Sequence, residues 1–167
     1  MTMIELVVAV ALFAIVVTLA APSFGEAALG GRLTSYANNL VVSANLARSE
    51  AIKRNAIVRL CVSTTGSDCA GSGSWEQGWI ILVPNNGQVI HQQPPAAPGL
   101  RILANGFHTI DFQPTGFGAV FDPTPAGAPQ LTACRATPTP GKQERVVAVT
   151  LTGRSSVSRT TTGTCPA

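Results

Sequence analysis

Residues 1–24 read MTMIELVVAVALFAIVVTLAAPSF, an apolar run that contains one charged side chain, Glu5. As a helix rising about 1.5 Å per residue, this run would be about 36 Å long, enough to cross the hydrocarbon core of a bilayer. Pro22 lies near its end, and a proline inside a helix removes one hydrogen bond and favours a bend. We therefore expect residues 1–24 to form a hydrophobic helix with a kink near Pro22.

Residues 25–55 are predicted to continue this helix with one apolar face. Their apolar positions recur every three or four residues, as on one side of an amphipathic helix. These positions are Leu29, Leu33, Tyr36, Leu40, Ala44, Ala47 and Ala51. Glu50 and Arg54 are four residues apart with the acid first, a spacing that favours a weak ion pair along the helix.

Residues 56–167 change to a strand pattern and are predicted to form a β-rich domain. Six short runs are rich in β-branched or aromatic residues and are separated by turn sequences. The runs are 56–63, 78–83, 88–92, 107–112, 118–121 and 145–152. In the last run Val147, Val149 and Leu151 alternate with more mixed positions, which predicts an apolar side facing the helix. The predicted fold is α+β: a long N-terminal helix, hydrophobic and then amphipathic, packed against an antiparallel β-sheet.

The cysteines indicate disulfides rather than a metal site. There are four of them: Cys61, Cys69, Cys134 and Cys165. None forms a C-x-x-C pair, and the histidines, His91 and His108, are distant from them in sequence and are interpreted as strand residues, so we expect no metal. Three pairings are possible, and proximity in sequence favours Cys61–Cys69 and Cys134–Cys165.

The basic side chains are concentrated near the C-terminal end. Residues 60–133 contain one basic residue against four acidic ones, whereas 134–167 contain five basic residues against one acid. The five are Arg135, Lys142, Arg145, Arg154 and Arg159. The chain's net charge of +3 is too small by itself to indicate binding to nucleic acid. These arginines also fit a simpler interpretation, as solvated charges that keep strand edges from pairing.

The sequence favours a protein that is not an enzyme and needs no cofactor. It contains no G-x-S-x-G, P-loop or H-E-x-x-H motif. Trp75 and Trp79 are predicted to pack between the sheet and the helix, with a surface contact as the alternative.

Glu5 raises the free energy of placing the apolar run in a membrane. A carboxylate in a membrane span costs about 2–3 kcal/mol at the helix centre and less near an end. Glu5 is four residues from the first residue, so its side chain could reach the lipid headgroups. Alternatively it pairs with a cation when helices pack together, and the nearest candidate is the α-amino group of a neighbouring chain.

The stretch MTMIELVVAVALFAI resembles the mature N-terminus of type IV pilins and type II secretion pseudopilins. The positions that match the pattern of that superfamily are Met1, Thr2, Ile4, Glu5, Leu6 and Pro22. Later stretches are similar to the GspH/FimT/FimU group of minor pilins and pseudopilins: NLARSEAIKRN at 45–55, VRLCVS at 58–63, W-x-x-G-W at 75–79 and TGR at 152–154.

The resemblance implies a filament subunit that first resides in the bacterial inner membrane through a single-pass helix. A prepilin peptidase would process and N-methylate Met1, and an inner-membrane assembly platform would then insert the subunit among other pilin subunits in a periplasmic or extracellular filament. Glu5 would neutralise the amine of a neighbouring chain, and Pro22 would kink the helix. A type IV pilus and a type II secretion pseudopilus both fit this description.

The resemblance also implies an alternative function in DNA uptake. Some FimT-like members of the group act in natural transformation and resemble DNA receptors, with G-R-x-R in a basic C-terminal loop. Here the corresponding residues are Gly153, Arg154, Ser155 and Ser156, so the second arginine is missing. Arg159 is the candidate to replace it, and Arg135, Lys142 and Arg145 are candidates to widen the patch. Phosphate contacts of this number would give weak and strongly salt-dependent binding.

Overall fold

A computed structural model describes residues 2–135, 144–161 and 165, and it describes residues 19–24 and 26 by their backbone alone. The chain divides into two compact units, Met1–Arg32 and Leu33–Ala167. One helix, α1 (Met3–Arg54), contributes to both. Met1 and Lys142 lie outside the described residues, and so does the side chain of Pro22. The kink at Pro22 therefore stays a prediction.

In the first unit the apolar side chains of α1 are exposed around the whole helix. The exposed fraction runs from 83% at Met3 to 47% at Val17, and the large side chains between them fall within that range. Within the part of the chain that the structure describes, no helix combines the length and the apolar character needed to cross a membrane.

In the second unit α1 buries one face. The buried residues recur every three or four positions: Leu33, Ala37, Leu40, Ala44, Ala47 and Ala51. The sequence predicts five of them, but Ala37 is buried in place of Tyr36, which like Leu29 is only half-buried. Small alanines along this face let the backbone of the helix approach the strands closely. Near the end of α1, Glu50 accepts hydrogen bonds from Arg54 at 2.8 Å and from Lys53 at 3.1 Å, which confirms the predicted pair of Glu50 and Arg54.

The strands form two antiparallel sheets. The five-stranded sheet contains β1 (Val58–Val62), β2 (Trp79–Val83), β3 (Gln88–Gln93), β5 (Thr109–Phe112) and β6 (Ala119–Asp122). Its strands lie side by side in the order β3-β2-β1-β5-β6. The four-stranded sheet contains β4 (Leu100–Ala104), β7 (Gln130–Arg135), β8 (Glu144–Val149) and β9 (Ser155–Thr160), in the order β4-β7-β8-β9. A short 3-10 helix, Trp75–Gln77, precedes β2. The α+β prediction is confirmed.

All six predicted strands are present, and the structure adds β4, β7 and β9. One detail of the prediction is wrong. Leu151 does not continue β8 on its buried side but lies in a turn, with 66% of its side chain exposed. The turn closes because Thr150 N–H donates to Arg154 O at 2.8 Å and Gly153 N–H donates to Thr150 O at 2.8 Å. Gly153 has φ +78°, a conformation that glycine adopts readily.

Both tryptophans are core residues. Trp75 and Trp79 are each 1% exposed, with ring centroids 6.5 Å apart. Trp75 Nε1 donates to Phe107 O at 3.2 Å, and Trp79 Nε1 donates to Ser43 Oγ on α1 at 2.9 Å. Packing between helix and strands is thus confirmed, and burial rules out the surface contact.

Both predicted disulfides are present. Cys61–Cys69 closes a loop with a sequence separation of 8, and Cys134–Cys165 one with a separation of 31. Cys61 is fully buried and packs with Ile80 and Leu82. The second disulfide attaches position 165 to β7.

Candidate assembly site and basic hairpin

The N-terminus of α1 is capped by two reciprocal hydrogen bonds between Thr2 and Glu5. Thr2 N–H donates to Glu5 Oε2 at 3.1 Å, and Glu5 N–H donates to Thr2 Oγ1 at 3.4 Å. Because α1 begins at Met3, Thr2 is the N-cap and Glu5 the third helical residue, which is the arrangement of a capping box. The sequence analysis missed this role, although the spacing Thr-x-x-Glu at residues 2–5 is its signature.

The capping box gives Glu5 a defined position on the surface of the helix. A negative charge is also favoured near a helix N-terminus by the helix dipole. The neighbouring side chains are apolar and exposed, among them Met3, Ile4 and Leu6. The first unit therefore presents an apolar surface, which can pack against another helix without directional preference. Its one carboxylate, in contrast, pairs only with a donor or a cation at the same level along the helix axis.

The four predicted basic residues that the structure describes do not form one compact patch. Arg154 and Arg159 are both exposed, but Arg154 precedes β9 and Arg159 is near its end. Arg159 follows Arg154 by five positions, which is about 17 Å along an extended strand. Arg135 is half-buried at the end of β7.

Arg145 is a core-facing residue rather than a surface cation. Only 5% of it is exposed, its Nε donates to Thr34 Oγ1 on α1 at 3.1 Å, and its Nη1 donates to Glu144 O at 3.0 Å. The pKa of Arg145 is lowered, first by desolvation on burial and second by the charge of Arg159, which lies opposite it in the strand register. Burial removes Arg145 from the side chains that could reach a phosphate.

The structure brings together two stretches that the sequence analysis singled out separately. Arg48, within 45–55, donates from Nε to Gly116 O at 2.8 Å and so holds the loop between β5 and β6. A side chain at Gly153, within 152–154, would meet Arg48 Cδ and Nε at 3.6 Å. Asn45 accepts a hydrogen bond from Ser155 Oγ at 3.1 Å. These motifs therefore fix the turn between β8 and β9, together with the β5–β6 loop, on the end of the helix.

The histidines and carboxylates do not assemble into a metal site in the described part of the chain. There, no three side chains of the His, Cys, Asp or Glu type lie close enough to hold an ion. His91 is an exposed residue of β3, as predicted. His108 is half-buried and is not a strand residue, because β5 begins only at Thr109.

This architecture, a long helix that is apolar at its start and packed later on antiparallel sheets, defines a pilin-like subunit. The chain belongs to the family of the type II transport protein GspH, which matches residues 36–153. Its fold is similar to two crystal structures of the type IV minor pilin FimU of Pseudomonas aeruginosa strain PAO1. One, in space group P21, has a TM-score of 0.59 at 20% identity and covers 77% of this chain and 89% of that chain. The other, in space group P65, has a TM-score of 0.54 at 20% identity, with 75% and 92% covered. No curated protein sequence matches the chain.

Proposed function

We propose that the protein is a structural subunit of a type IV pilus or of a related type II secretion pseudopilus, and that it assembles through its N-terminal helix. One observation supports this proposal most strongly: the large apolar side chains from Met3 to Val17 in the first unit are exposed, and Glu5 is the one charged residue among them. Burying each such side chain contributes about 1.5–3 kcal/mol, so this surface favours a helix bundle strongly.

Glu5 determines how far one helix is shifted along the next. Glu5 accepts the Thr2 hydrogen bond through Oε2. A carboxylate has two oxygens with about four acceptor positions, so it can accept from a second donor as well. The partner we propose is the α-amino group of Met1 in the neighbouring subunit. In a dry bundle such a pair is strong only with good geometry, because both charges lose their hydration. The capping box supplies part of that geometry by holding the carboxylate before assembly begins.

Before assembly the subunit resides in the bacterial inner membrane, where a prepilin peptidase cleaves it and methylates Met1. An inner-membrane assembly platform then transfers it into a periplasmic or extracellular filament with other pilin subunits. The family and the apolar character of residues 1–24 support this sequence of events.

The test separates the charge of Glu5 from its capping role. Glu5→Gln keeps the capping box, because glutamine also serves at this position, but it removes the charge. Glu5→Ala removes both. We expect both variants to be processed and retained in the cell envelope, yet at least tenfold depleted from sheared filaments measured by quantitative mass spectrometry. Normal incorporation of Glu5→Gln would contradict the ion pair.

The same spectra distinguish the two kinds of filament. N-methyl-Met1 on chains recovered from surface filaments identifies a pilus subunit, and its stoichiometry separates an abundant subunit from a minor one. Processed chain confined to the envelope identifies a secretion pseudopilus or a short DNA-uptake filament.

DNA binding is the second candidate function. It is favoured by one observation, the exposure of Arg154 and Arg159 on the β8–β9 hairpin. The burial of Arg145 reduces the number of phosphate contacts that this hairpin can make.

A further inference from the structure

Two Asn-Gly pairs occur in the chain, and the structure holds them in different ways. Asn86–Gly87 lies in the turn between β2 and β3, and Asn105–Gly106 follows β4. Asparagine followed by glycine is prone to spontaneous loss of its side-chain amide, because glycine has no side chain to hinder its backbone nitrogen. The reaction also requires the asparagine amide to reach that nitrogen, so the fold decides which of the two pairs reacts.

Asn105 is held at both ends of its amide by the chain around the start of β7. Its Nδ2 donates to Ala128 O at 2.9 Å, and its Oδ1 accepts from Gln130 N–H at 3.0 Å. Asn105 N–H also donates to Gln130 O at 3.3 Å, which continues the pairing of β4 with β7. Turning this amide toward Gly106 would break both side-chain hydrogen bonds at the end of a sheet, so the folded state protects Asn105.

Asn86 is exposed, and its amide is held on one side. Its Oδ1 accepts a hydrogen bond from Gln88 N–H at 3.0 Å, whereas its Nδ2 has no hydrogen-bond partner among the residues that the structure describes. A side chain bonded to the N–H two positions ahead forms an Asx turn, which folds over the backbone nitrogen of the intervening residue, here Gly87. The turn thus keeps the amide carbon of Asn86 near the nitrogen that would attack it.

The attacking group is the backbone nitrogen of Gly87, and the fold leaves it accessible. Gly87 has φ +68°, and apart from its two chain neighbours no described atom lies within 4 Å of the position where a side chain would start. Its N–H donates to Val83 O at 2.9 Å, so this hydrogen bond has to open before the nitrogen can react. Residues 84–88 are all exposed, so its opening disturbs exposed turn residues rather than the core.

We propose that Asn86 is a site of spontaneous deamidation in the folded protein and that Asn105 is protected from it. The Gly87 nitrogen forms a bond to Cγ of Asn86, and the bond from Cγ to Nδ2 breaks. Nδ2 leaves as ammonia, with the proton that the Gly87 nitrogen loses. Water then opens the cyclic imide at either carbonyl and leaves aspartate or isoaspartate at position 86. Gln88 N–H donates to the oxygen on which negative charge develops during the attack, as a donor in an oxyanion hole does.

The product gives the β2–β3 hairpin its first carboxylate. Residues 79–93 contain no Asp, Glu, Lys or Arg, and β3 is an edge strand of the five-stranded sheet. A charge on an edge discourages pairing with other chains. The isoaspartyl product also lengthens the backbone of the turn by a methylene group. An older copy of the protein therefore differs from a newly made copy at this sheet edge, whether or not the copy is part of a filament.

Peptide mapping by mass spectrometry tests the proposal on the full chain, incubated in detergent at mildly alkaline pH. The folded chain is compared with a reduced chain in guanidinium chloride, where structure holds neither pair. We expect the folded chain to convert Asn86 about tenfold faster than Asn105, or more, and the unfolded chain to convert both at similar rates. An unconverted Asn86 in the folded chain would overturn the proposal, as would equal conversion of the two asparagines there.

Two variants serve as controls. Asn86→Asp supplies the aspartyl product as a reference for the peptide map. Asn86→Gln keeps an amide but moves its carbon away from the Gly87 nitrogen by a methylene group, so conversion at position 86 should be lost while that of Asn105 is unchanged. We expect both aspartate and isoaspartate at position 86 of the wild-type chain. Aspartate alone would indicate direct hydrolysis and would contradict attack by Gly87.

Discussion

Trp79 on β2 donates its indole N–H to the hydroxyl of Ser43 on α1 over 2.9 Å, and both residues are almost completely buried. The ring packs among other aromatic residues of the core, so its one polar atom has little access to water. The hydrogen bond thus satisfies two buried polar groups at once, the indole N–H of Trp79 and the hydroxyl of Ser43, within an apolar core.

Removing the Ser43 hydroxyl should destabilise the fold. Ser43→Ala leaves the indole N–H of Trp79 buried without a partner, and we expect a loss of about 1–3 kcal/mol in the free energy of unfolding. Ser49→Ala is the matched control, because the Ser49 hydroxyl donates only to Leu46 O of its own helix. Urea unfolding of the two variants measures the difference. Equal losses would show that the Trp79–Ser43 bond contributes nothing specific.

The two disulfides should differ in what they contribute. Loop entropy predicts about 2.5 kcal/mol for Cys61–Cys69 and about 3.5 kcal/mol for Cys134–Cys165, since the second closes the longer loop. The paired variants Cys61→Ala/Cys69→Ala and Cys134→Ala/Cys165→Ala remove one disulfide each. Unfolding curves under oxidising conditions should give a lower free energy of unfolding for Cys134→Ala/Cys165→Ala than for Cys61→Ala/Cys69→Ala. The reverse order would show that the packing of Cys61 outweighs loop length.

Glu50 should make the stability depend on pH. Its pKa lies below the ordinary value, chiefly because Arg54 donates a hydrogen bond to the carboxylate and secondly because Lys53 does. A lowered carboxyl pKa stabilises the folded state above the unfolded-state pKa, about 4.3 for glutamate, and this contribution is lost as the pH falls through the folded-state pKa. Glu50→Gln should therefore unfold at a slightly lower temperature than wild type at neutral pH. The two melting temperatures should converge in acid, and a constant difference would contradict the ion pairs.

The exposed residues Arg154 and Arg159 of the β8–β9 hairpin lead to a prediction about the salt dependence of DNA binding. If the chain binds DNA, Arg154→Ala/Arg159→Ala should weaken binding equally for all sequences and reduce the slope of log affinity against log salt by about 2. Lys53→Ala is the control, an exposed cation on α1 that is paired with Glu50. Fluorescence anisotropy with a labelled duplex at several salt concentrations measures both quantities. An unchanged affinity of the double variant would exclude the hairpin as the DNA site.

The sequence predicted the parts of the fold that have strong local patterns. The alanine and leucine face of α1 and the six apolar strands are visible in the spacing of side chains. β9 was missed because its sequence, SSVSRT, is largely polar. It forms a strand because β8 supplies a partner in register from Glu144 to Val149, which is a tertiary effect that overrides local preference.

The burial of Arg145 is predictable from the alternation of side chains along β8. The alternation that buries Val147 and Val149 in β8 also places residue 145 on the same side of the sheet. The contact between β6 and the β8–β9 turn, by contrast, could not be predicted from sequence. Ala119 N–H donates to Leu151 O at 2.8 Å, although the two residues are far apart in the chain.

The disulfide between Cys134 and Cys165 also has a mechanical consequence. It encloses both β8 and β9, so a force that pulls on the two ends of the chain cannot stretch them. The sequence separation of 31 between the two cysteines would otherwise contribute about 105 Å of extended chain. In a single-molecule pulling experiment, adding a reductant should therefore lengthen the fully extended protein by about this amount, with a smaller increment from the loop of 8 at Cys61–Cys69. A subunit pulled along its filament would resist extension through this covalent loop even after its sheets had separated.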